Sequence, residues 1–243
     1  MVVKTTYKRF KHDYYPTPPS CVSAILQKSY SEHNYIFTPE RDNRTGVREV
    51  YKALDVGAGT GIWGKVLKKT FPKLPIQLWG LDIQPFPKPA EYDYWLSGTD
   101  FLSEQRNLLL TDDSFDLVMG NPPFKHAEKF VRRSLDLTKY GGYVIMLTRL
   151  AFLESIGRAT GLFEEHPPAT VTVLARRPSF HLDRKTGSLA YCATVWQKGI
   201  HDAITELNWL NWNYDDKWEG IRQEAREHLI ELGAFDEHLE SKK

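Results

Sequence analysis

Short apolar runs alternate with amphipathic stretches along most of this 243-residue chain. Runs typical of buried strands occupy residues 52–56, 76–81, 94–96, 115–119, 143–147, 170–174 and 191–196. Apolar residues with helical spacing follow Pro18-Pro19 and recur at residues 62–71, 126–139 and 151–164. We also predict a polar loop at residues 38–50 and a short helix at residues 104–110. Because strands and helices alternate at this spacing, we predict an α/β fold with a mostly parallel, seven-stranded sheet and helices on both faces.

The last two predicted strands break this alternation. Residues 176–190 between them lack a helical pattern, so we expect this pair to form an antiparallel edge of the sheet. Beyond residue 200 the chain contains three tryptophans and a charged helix from about Asp216 to Leu232. We therefore divide the chain into one main domain, residues 1–200, and a helical C-terminal appendage, residues 201–243.

Composition narrows the class of protein. Hydrophobic residues make up 41% of the chain and charged residues 26%, as in soluble globular proteins. No apolar stretch is long enough to span a membrane and the N-terminus lacks a signal-peptide core, so we expect a cytoplasmic protein without a membrane partner. Cys21 and Cys192 are expected to be buried thiols, and no Cys/His cluster has metal-ligand spacing, so we expect no metal site. With a net charge of only +1, any nucleic-acid contact must come from local basic patches.

The most informative short stretch is Asn121-Pro122-Pro123-Phe124, which follows the predicted strand at residues 115–119. Two consecutive prolines cannot continue a strand or enter a helix interior, so the turn has a fixed shape. In open α/β sheets, ligands bind at this carboxyl end of the strands. There the Asn121 side-chain oxygen and a nearby backbone carbonyl can both accept hydrogen bonds from one planar amino group, while Phe124 stacks on the ring that carries it. On its own, the stretch is also compatible with an ordinary proline-rich loop.

A glycine-rich turn, Asp55-Val56-Gly57-Ala58-Gly59-Thr60-Gly61, joins the strand at residues 52–56 to the next helix. Its third glycine comes too early for the dinucleotide-binding fingerprint, and the Gly-Lys-Ser/Thr of a phosphate-binding loop is missing. The spacing instead allows close backbone approach to an uncharged adenosine and an amino-acid moiety, whose ammonium group Asp55 can pair with. A tight strand–helix connection without a ligand is the alternative.

Two more acidic residues follow the next two predicted strands. Asp82 is the residue expected to bind a ribose diol, and Asp100 is placed to accept a hydrogen bond from an adenine amino group. Ile83 and Phe101, next to these acids, can pack on the adenine ring. Each acid alone is also compatible with a helix cap or a solvated strand end. Together with Asp55, however, they share one edge of the predicted sheet.

These motifs resemble those of S-adenosylmethionine-dependent methyltransferases with a Rossmann-like fold, and more narrowly the gamma-type amino-methyltransferases that modify adenine N6 in DNA. In that family a Thr-Pro segment precedes the glycine motif, and an Asn-Pro-Pro-aromatic motif follows it. Tyr15-Pro16-Thr17-Pro18 matches the first, Asp55 to Gly61 the second, and Asn121 to Phe124 the third. Later segments resemble small phage and prophage DNA methylases, so the resemblance covers about residues 10–200. It implies that residues 1–200 form the methyltransferase domain.

The resemblance implies S-adenosyl-L-methionine as the cofactor and favours DNA over RNA as the nucleic-acid partner. The residues that it implies for cofactor binding are Tyr15, Thr17, Pro18, Asp55, Gly57, Gly59, Gly61, Asp82, Ile83, Asp100, Phe101 and Asn121. It implies that Asn121 and the Pro122 carbonyl accept both amino hydrogens of adenine, with Pro123 and Phe124 completing the catalytic motif. The amino nitrogen then attacks the methyl group in line, and no covalent enzyme intermediate is needed. Methylation at cytosine C5 uses a cysteine that follows a proline, and neither cysteine here does.

Three alternatives stay open at this point. Asn-Pro-Pro-Phe also occurs in enzymes that methylate amino groups of ribosomal or transfer RNA. A version that ends in tyrosine occurs in protein-glutamine methyltransferases. The third alternative is a non-catalytic subunit that keeps the fold. The Tyr-Pro-Thr-Pro segment favours the DNA adenine enzymes.

Three groups of basic residues are candidates for phosphate contacts, although a solvated charged face also explains each of them. They are Lys4, Lys8, Arg9 and Lys11; Lys125, Arg132 and Arg133; and Arg176, Arg177, Arg184 and Lys185. Because Arg176 and Arg177 follow a predicted strand end, they can lie at the same edge as the active site.

Overall fold

Eight strands form one continuous sheet. The structure is a computed structural model that describes residues 14–33, 36–37, 50–103, 109–200 and 204–231. The strands are β1 (Tyr51–Val56), β2 (Ile76–Asp82), β3 (Tyr94–Ser97), β4 (Phe115–Gly120), β5 (Thr138–Arg149), β6 (Thr170–Leu174), β7 (Tyr191–Gln197) and β8 (Glu206–Leu210). Their order across the sheet is β3-β2-β1-β4-β5-β7-β6-β8. The predicted strands are thus all present.

Strand direction confirms a mostly parallel sheet with an antiparallel part. Only β7 is antiparallel to its neighbours, β5 and β6. The sheet has eight strands and not seven because β8 pairs in parallel with the outer side of β6. The segment after residue 200, predicted as a helical appendage, therefore contains the strand Glu206–Leu210 in addition to the helix Glu219–Glu231. This strand lies at the sheet edge with Leu207 and Trp209 exposed, so it has no run of buried residues for a sequence pattern to report. The division of the chain at residue 200 stays a prediction.

Helices cover both faces of the sheet, as predicted. The longer helices are α1 (Pro19–Glu32), α2 (Ile62–Thr70), α3 (Ala127–Leu137) and α6 (Glu219–Glu231), and α4 (Ile156–Ala159) and α5 (Leu162–Glu165) are single turns. Apolar residues of α1, α2 and α6 belong to one buried cluster, and those of α3 and α5 belong to a second. The sheet separates these two cores.

Two predicted helices have different limits in the structure. The helix predicted at 126–139 ends at Leu137, and β5 begins directly at Thr138. The helix predicted at 151–164 is divided into a 3₁₀ turn at Leu150–Leu153 and the short α4 and α5. Its glycines weaken helix formation, and the Arg158 side chain, within the same segment, donates to the Phe152 carbonyl oxygen (2.6 Å) in place of a backbone N–H.

The strand order produces a crevice between the carboxyl ends of β1 and β4. From β1 the chain moves outward to β2 and β3, and β4 then returns to the other side of β1. Such a reversal point is where open α/β sheets bind ligands. Gly120 pairs with Val56 at this point, and a Cβ on Gly120 would overlap the Val56 carbonyl oxygen. Glycine therefore lets the two strand ends approach closely just before Asn121.

Several predictions based on composition can be compared with the structure. Cys21 and Cys192 are free and buried, as predicted. None of the helices in the described residues has the length and apolar character needed to cross a membrane. Within the same residues, no group of three or more His, Cys, Asp or Glu side chains could hold a metal ion. The basic group at residues 4–11, most of the loop at 38–50 and most of the helix at 104–110 lie outside the described residues.

Candidate active site

Two cavities open at the carboxyl ends of the strands, and the Asn-Pro-Pro-Phe turn lies between them. The smaller has a volume of about 430 Å³ and is lined by Asn121 and Pro123 among others. The larger has a volume of about 900 Å³ and is lined by Phe124. Tyr15 lines both cavities. The turn therefore faces two cavities, and both volumes are within the range of roughly 300–1,000 Å³ that is usual for small-molecule sites.

The smaller cavity brings together most of the residues predicted to bind a cofactor. These residues are Tyr15, Thr17, Gly57, Asp82, Ile83, Asp100, Phe101 and Asn121. Ile83 is half exposed, whereas Phe101 is buried and packs against Phe130. Ile83 therefore offers more apolar surface to a ligand than Phe101 does. Pro18, Asp55, Gly59 and Gly61 do not line the cavity.

The glycine turn forms one wall through backbone conformations that suit glycine. Gly57, Gly59 and Gly61 all have positive φ angles, of 64°, 56° and 79°. The Gly59 N–H donates to Asp82 Oδ2 (2.8 Å), which ties the turn to the end of β2. The Tyr14 ring lies directly over Gly59, so a side chain at this position would overlap it. Bare backbone is therefore required here by both conformation and space.

Asp82 is held in a fixed orientation at the cavity wall. It is only 5% exposed, and its Oδ1 accepts a hydrogen bond from the Gln84 N–H (2.8 Å) while Oδ2 accepts the bond from Gly59. A carboxylate oxygen has lone pairs for more than one donor, so hydroxyl groups of a ligand can still bind. Asp100, in contrast, is exposed, and its Oδ1 accepts a bond from the Leu102 N–H (2.9 Å).

Asp55 is fully buried behind the glycine turn. Its Oδ2 accepts hydrogen bonds from the Tyr92 hydroxyl (2.5 Å) and the Gly64 N–H (3.3 Å). Burial raises the pKa of Asp55 to about 7, against the opposing effect of the Tyr92 hydrogen bond. These contacts anchor the start of α2. Pairing with a ligand ammonium group, as proposed from the sequence, stays a prediction.

Three buried polar atoms of residues that line the smaller cavity have no hydrogen-bond partner among the described residues. They are Thr17 Oγ1, Trp63 Nε1 and Asn121 Oδ1. Buried polar groups in folded proteins are nearly always paired, so a cluster of unpaired ones requires an explanation. A polar ligand in the cavity supplies one. Trp63 and Tyr14 are site residues that the sequence analysis did not identify, since each resembles an ordinary core aromatic residue.

Asn121 is oriented by one defined contact. Its Nδ2 donates to the Tyr15 carbonyl oxygen (2.8 Å). A carbonyl can only accept, so the amide nitrogen must face Tyr15 and the amide oxygen must point the other way. This leaves Oδ1 as a buried acceptor without a partner. The contact joins the segment before α1 to the end of β4 and aims one acceptor into the site.

Phe124 belongs to an aromatic cluster in the larger cavity. Its ring stacks on Tyr15 (centroids 5.9 Å apart, 24° between planes) and contacts Tyr191 (5.6 Å). The Arg149 guanidinium lies over the same ring, 4.4 Å from its centroid. Burial raises the pKa of Tyr191, and Arg149 opposes that change. Phe180 completes the cluster. Arg149 and Tyr191 were not predicted as site residues, although both lie at strand ends on this edge.

The structure separates the candidate phosphate-binding residues into two sets. Lys125 and Lys185 line the larger cavity. The other candidates among the described residues form contacts elsewhere: Arg132 with Glu128 and Glu165, Arg133 with Asp112, Arg176 with Asn213, Arg177 with the Ser188 carbonyl, and Arg184 with Asp216 and Glu219. Arg149 and Arg158 also line the larger cavity, which therefore combines cations with aromatic rings.

Comparison with known proteins identifies the fold. No protein-family model and no curated protein matches the chain. A solved structure described as a class I S-adenosylmethionine-dependent methyltransferase, from Listeria monocytogenes, is 16% identical with a TM-score of 0.53, covering 86% of this chain and 70% of that one. The methyltransferase subunit of a type I restriction-modification system from Streptococcus thermophilus is 14% identical with a TM-score of 0.56, covering 90% and 57%. A protein described as a hemolysin, also from Streptococcus thermophilus, is 10% identical with a TM-score of 0.50, covering 88% and 76%.

These similarities establish the class of fold and no more, because all three identities are low. The chain has the α/β, Rossmann-like methyltransferase fold, with an antiparallel β5-β7-β6 part. It spans a little over half the length of the restriction-modification subunit. The substrate must therefore be argued from the residues of the site.

Proposed function

We propose that this protein is an S-adenosylmethionine-dependent methyltransferase that transfers a methyl group to the N6 amino group of adenine in DNA. The observation that carries the proposal is the orientation of Asn121, whose Oδ1 is an unpaired buried acceptor on a residue that lines the smaller cavity, three positions before Phe124 of the larger one. An exocyclic amino group is a donor that such an oxygen can bind. The proposal assigns the cofactor to the smaller cavity and the target base to the larger one.

The residues of the smaller cavity fit the cofactor. Gly57 lines the cavity and has no atom closer than 3.9 Å to the position that a Cβ would take, which leaves room for the methionine part of the cofactor. Asp82 presents fixed carboxylate oxygens to ribose hydroxyls. Thr17 Oγ1 and Trp63 Nε1 offer one hydroxyl and one N–H to polar groups of the ligand. Ile83 and Phe101 provide apolar contact for the adenine ring. A cavity of about 430 Å³ is also adequate for a ligand of this size.

The chain's own residues position and activate the amino nitrogen. The lone pair of adenine N6 is delocalised into the ring, which makes this nitrogen a poor nucleophile. Asn121 Oδ1 and the Pro122 carbonyl accept its two hydrogens, which favours a tetrahedral nitrogen with a free lone pair. When bound, S-adenosylmethionine supplies an electrophilic methyl group on a sulfonium sulfur. The amino nitrogen, held by these two acceptors, would take that methyl group and would then release one proton to solvent.

The larger cavity supports a nucleic-acid base as the acceptor. Phe124 and its aromatic neighbours can stack on a base that has left its duplex, offsetting an unstacking cost of a few kcal/mol. Lys125 and Lys185 at the rim can meet the phosphates on either side. A glutamine side chain could donate its amide hydrogens to Asn121 Oδ1, but it has no aromatic ring to stack on Phe124. The Tyr-Pro-Thr-Pro segment, which supplies the Tyr15 carbonyl that orients Asn121, favours DNA over RNA.

Methyl transfer from labelled S-adenosylmethionine tests the proposal. The purified protein is incubated in parallel with duplex DNA, single-stranded DNA, total RNA and a protein extract. We expect label in DNA. Label only in RNA or only in protein would replace the substrate and keep the chemistry. Cofactor binding without transfer to any acceptor would contradict an enzymatic role.

A further inference from the structure

One wall of the larger cavity is a loop whose conformation depends on contacts with another part of the chain in addition to the hydrogen bonds within the loop. Half of the cavity's lining residues lie between residues 178 and 189, in the connection from β6 to β7. Leu182 and Arg184 in this loop have φ angles of +56° and +60°. Side chains other than glycine rarely adopt this conformation, and it persists only where surrounding contacts impose it.

Bonds inside the loop define a turn around Asp183. Its Oδ1 accepts hydrogen bonds from the Ser179 hydroxyl (2.7 Å) and the Lys185 N–H (3.1 Å), and the Gly187 N–H donates to the Arg177 carbonyl (3.2 Å). These bonds use Asp183 and the two ends of the loop. They leave the carbonyl of Leu182 and the side chain of Arg184 for partners elsewhere.

Those partners all come from the C-terminal segment. The Arg222 guanidinium donates to the Leu182 carbonyl oxygen. Arg184 pairs with Asp216 (2.5 Å) and Glu219 (2.6 Å). Each of the two residues with positive φ is therefore held by a charged group of residues 212–231. The Tyr214 hydroxyl adds a bond to the Lys185 carbonyl (3.2 Å).

The same segment is anchored to the rest of the domain. Lys65 on α2 has a 4% exposed side chain and pairs with Glu224 on α6 (2.5 Å). Trp212 and Trp218 are buried, and the Trp212 indole donates to the Arg176 carbonyl (2.9 Å) just before the loop. Residues 212–231 can therefore hold the loop in a fixed position relative to the crevice, which a free tail could not do.

We propose that residues 212–231 form a C-terminal brace that keeps the 178–189 loop in the shape that receives the substrate. Arg184 and Arg222 are positioning residues in this scheme, because they act on the cavity through the loop. The first part of the proposal, the mechanical part, is that the brace fixes the conformation of the loop, and it depends only on these contacts. The part that concerns substrate binding rests on the proposed function.

Hydrogen–deuterium exchange tests the mechanical part without any assay of activity. The amides of Leu182, Lys185 and Gly187 report on the loop because all three donate hydrogen bonds there. We expect exchange about tenfold faster at these amides in the Arg184→Ala/Arg222→Ala variant, and a smaller increase in Arg184→Ala alone. Arg132→Ala is the matched control, since Arg132 also pairs with two carboxylates at a similar exposure but lines neither cavity. Unchanged exchange in the loop of the double variant would overturn the brace.

Steady-state kinetics on DNA test the substrate part. We expect KM for DNA to rise about tenfold in the double variant, with the Kd for S-adenosylmethionine within about twofold of wild type and kcat little changed. Faster exchange in the loop with an unchanged KM for DNA would refute a role in substrate binding. If the wild-type protein methylates no nucleic acid, the proposed function fails, and the exchange experiment still decides whether the brace exists.

Discussion

Replacing Gly59 by alanine is the sharpest structural test of the proposed cofactor site. The substitution adds a single methyl group to the glycine turn. That Cβ would overlap Cε2 of the Tyr14 ring. It would also lie only 3.1 Å from Cδ2 and 3.3 Å from Cζ of the same ring. It would also keep a residue with a side chain at a φ of +56°.

The structure separates the cost of Gly59→Ala into two parts. A left-handed backbone conformation costs a residue with a Cβ about 1–2 kcal/mol. Overpacking against the buried Tyr14 ring adds about 1–3 kcal/mol. We therefore expect the free energy of unfolding to fall by about 2–5 kcal/mol. If the turn shifts to relieve the overlap, the Gly59–Asp82 hydrogen bond is weakened and the Kd for S-adenosylmethionine rises about tenfold.

Gly141→Ala supplies the matched control. Gly141 has a φ of +77°, and a Cβ there would meet nothing within 4 Å. Its substitution has the conformational cost alone, about 1–2 kcal/mol, and leaves cofactor affinity unchanged. Urea denaturation and isothermal titration of both variants measure the difference. Equal destabilisation by the two substitutions, with equal cofactor affinity, would refute the argument that Tyr14 and the glycine turn form a tight cofactor wall.

Two further predictions concern the acidic residues. Asp82→Ala should weaken the binding of S-adenosylmethionine by about 1–3 kcal/mol in a binding titration, because the ribose hydroxyls lose a fixed acceptor. An unchanged Kd would show that Asp82 does not contact the cofactor. The pKa of Asp55 is raised from its ordinary value near 3.8 to about 7 by burial, so its protonated form stabilises the fold below about pH 4 and this contribution is lost as the pH rises to about 7. The unfolding free energy of wild type relative to Asp55→Asn should therefore fall by up to about 4 kcal/mol across that range. A difference that stays constant with pH would show that Asp55 is ionised throughout.

The sequence predicts the edge of the sheet where the site lies because its strands are buried apolar runs that end in polar residues. Asp82 and Asn121 each follow such a run, and a parallel sheet brings their strand ends to one side. Eight of the twelve residues predicted to bind a cofactor therefore line one cavity. Strand β8 was not predicted because it lies at the sheet edge with Leu207 and Trp209 exposed, so its sequence has no run of apolar residues typical of a buried strand.

Contacts between residues distant in the chain could not be predicted. Tyr92 donates a hydrogen bond to Asp55 across 37 positions of sequence. Asp55, predicted from the sequence to bind a ligand, is fully buried beside this contact, and burial raises its pKa. The stacking of Arg149 on Phe124 depends on the neighbouring positions of β4 and β5. The Asn121–Tyr15 bond spans 106 positions and decides which atom of the amide faces the site. Local patterns contain none of this information.

The measurement that tests the central claim most directly is nucleoside analysis of DNA treated with wild type and with Asn121→Ala, side by side. The side-chain oxygen of Asn121 is the unpaired acceptor on which the mechanism depends. We predict N6-methyladenine from the wild-type protein, and at least about a hundredfold less from Asn121→Ala at an S-adenosylmethionine Kd within about twofold of wild type. Wild-type levels of product from the variant, or methylation at a position other than an exocyclic amino group, would contradict the claim.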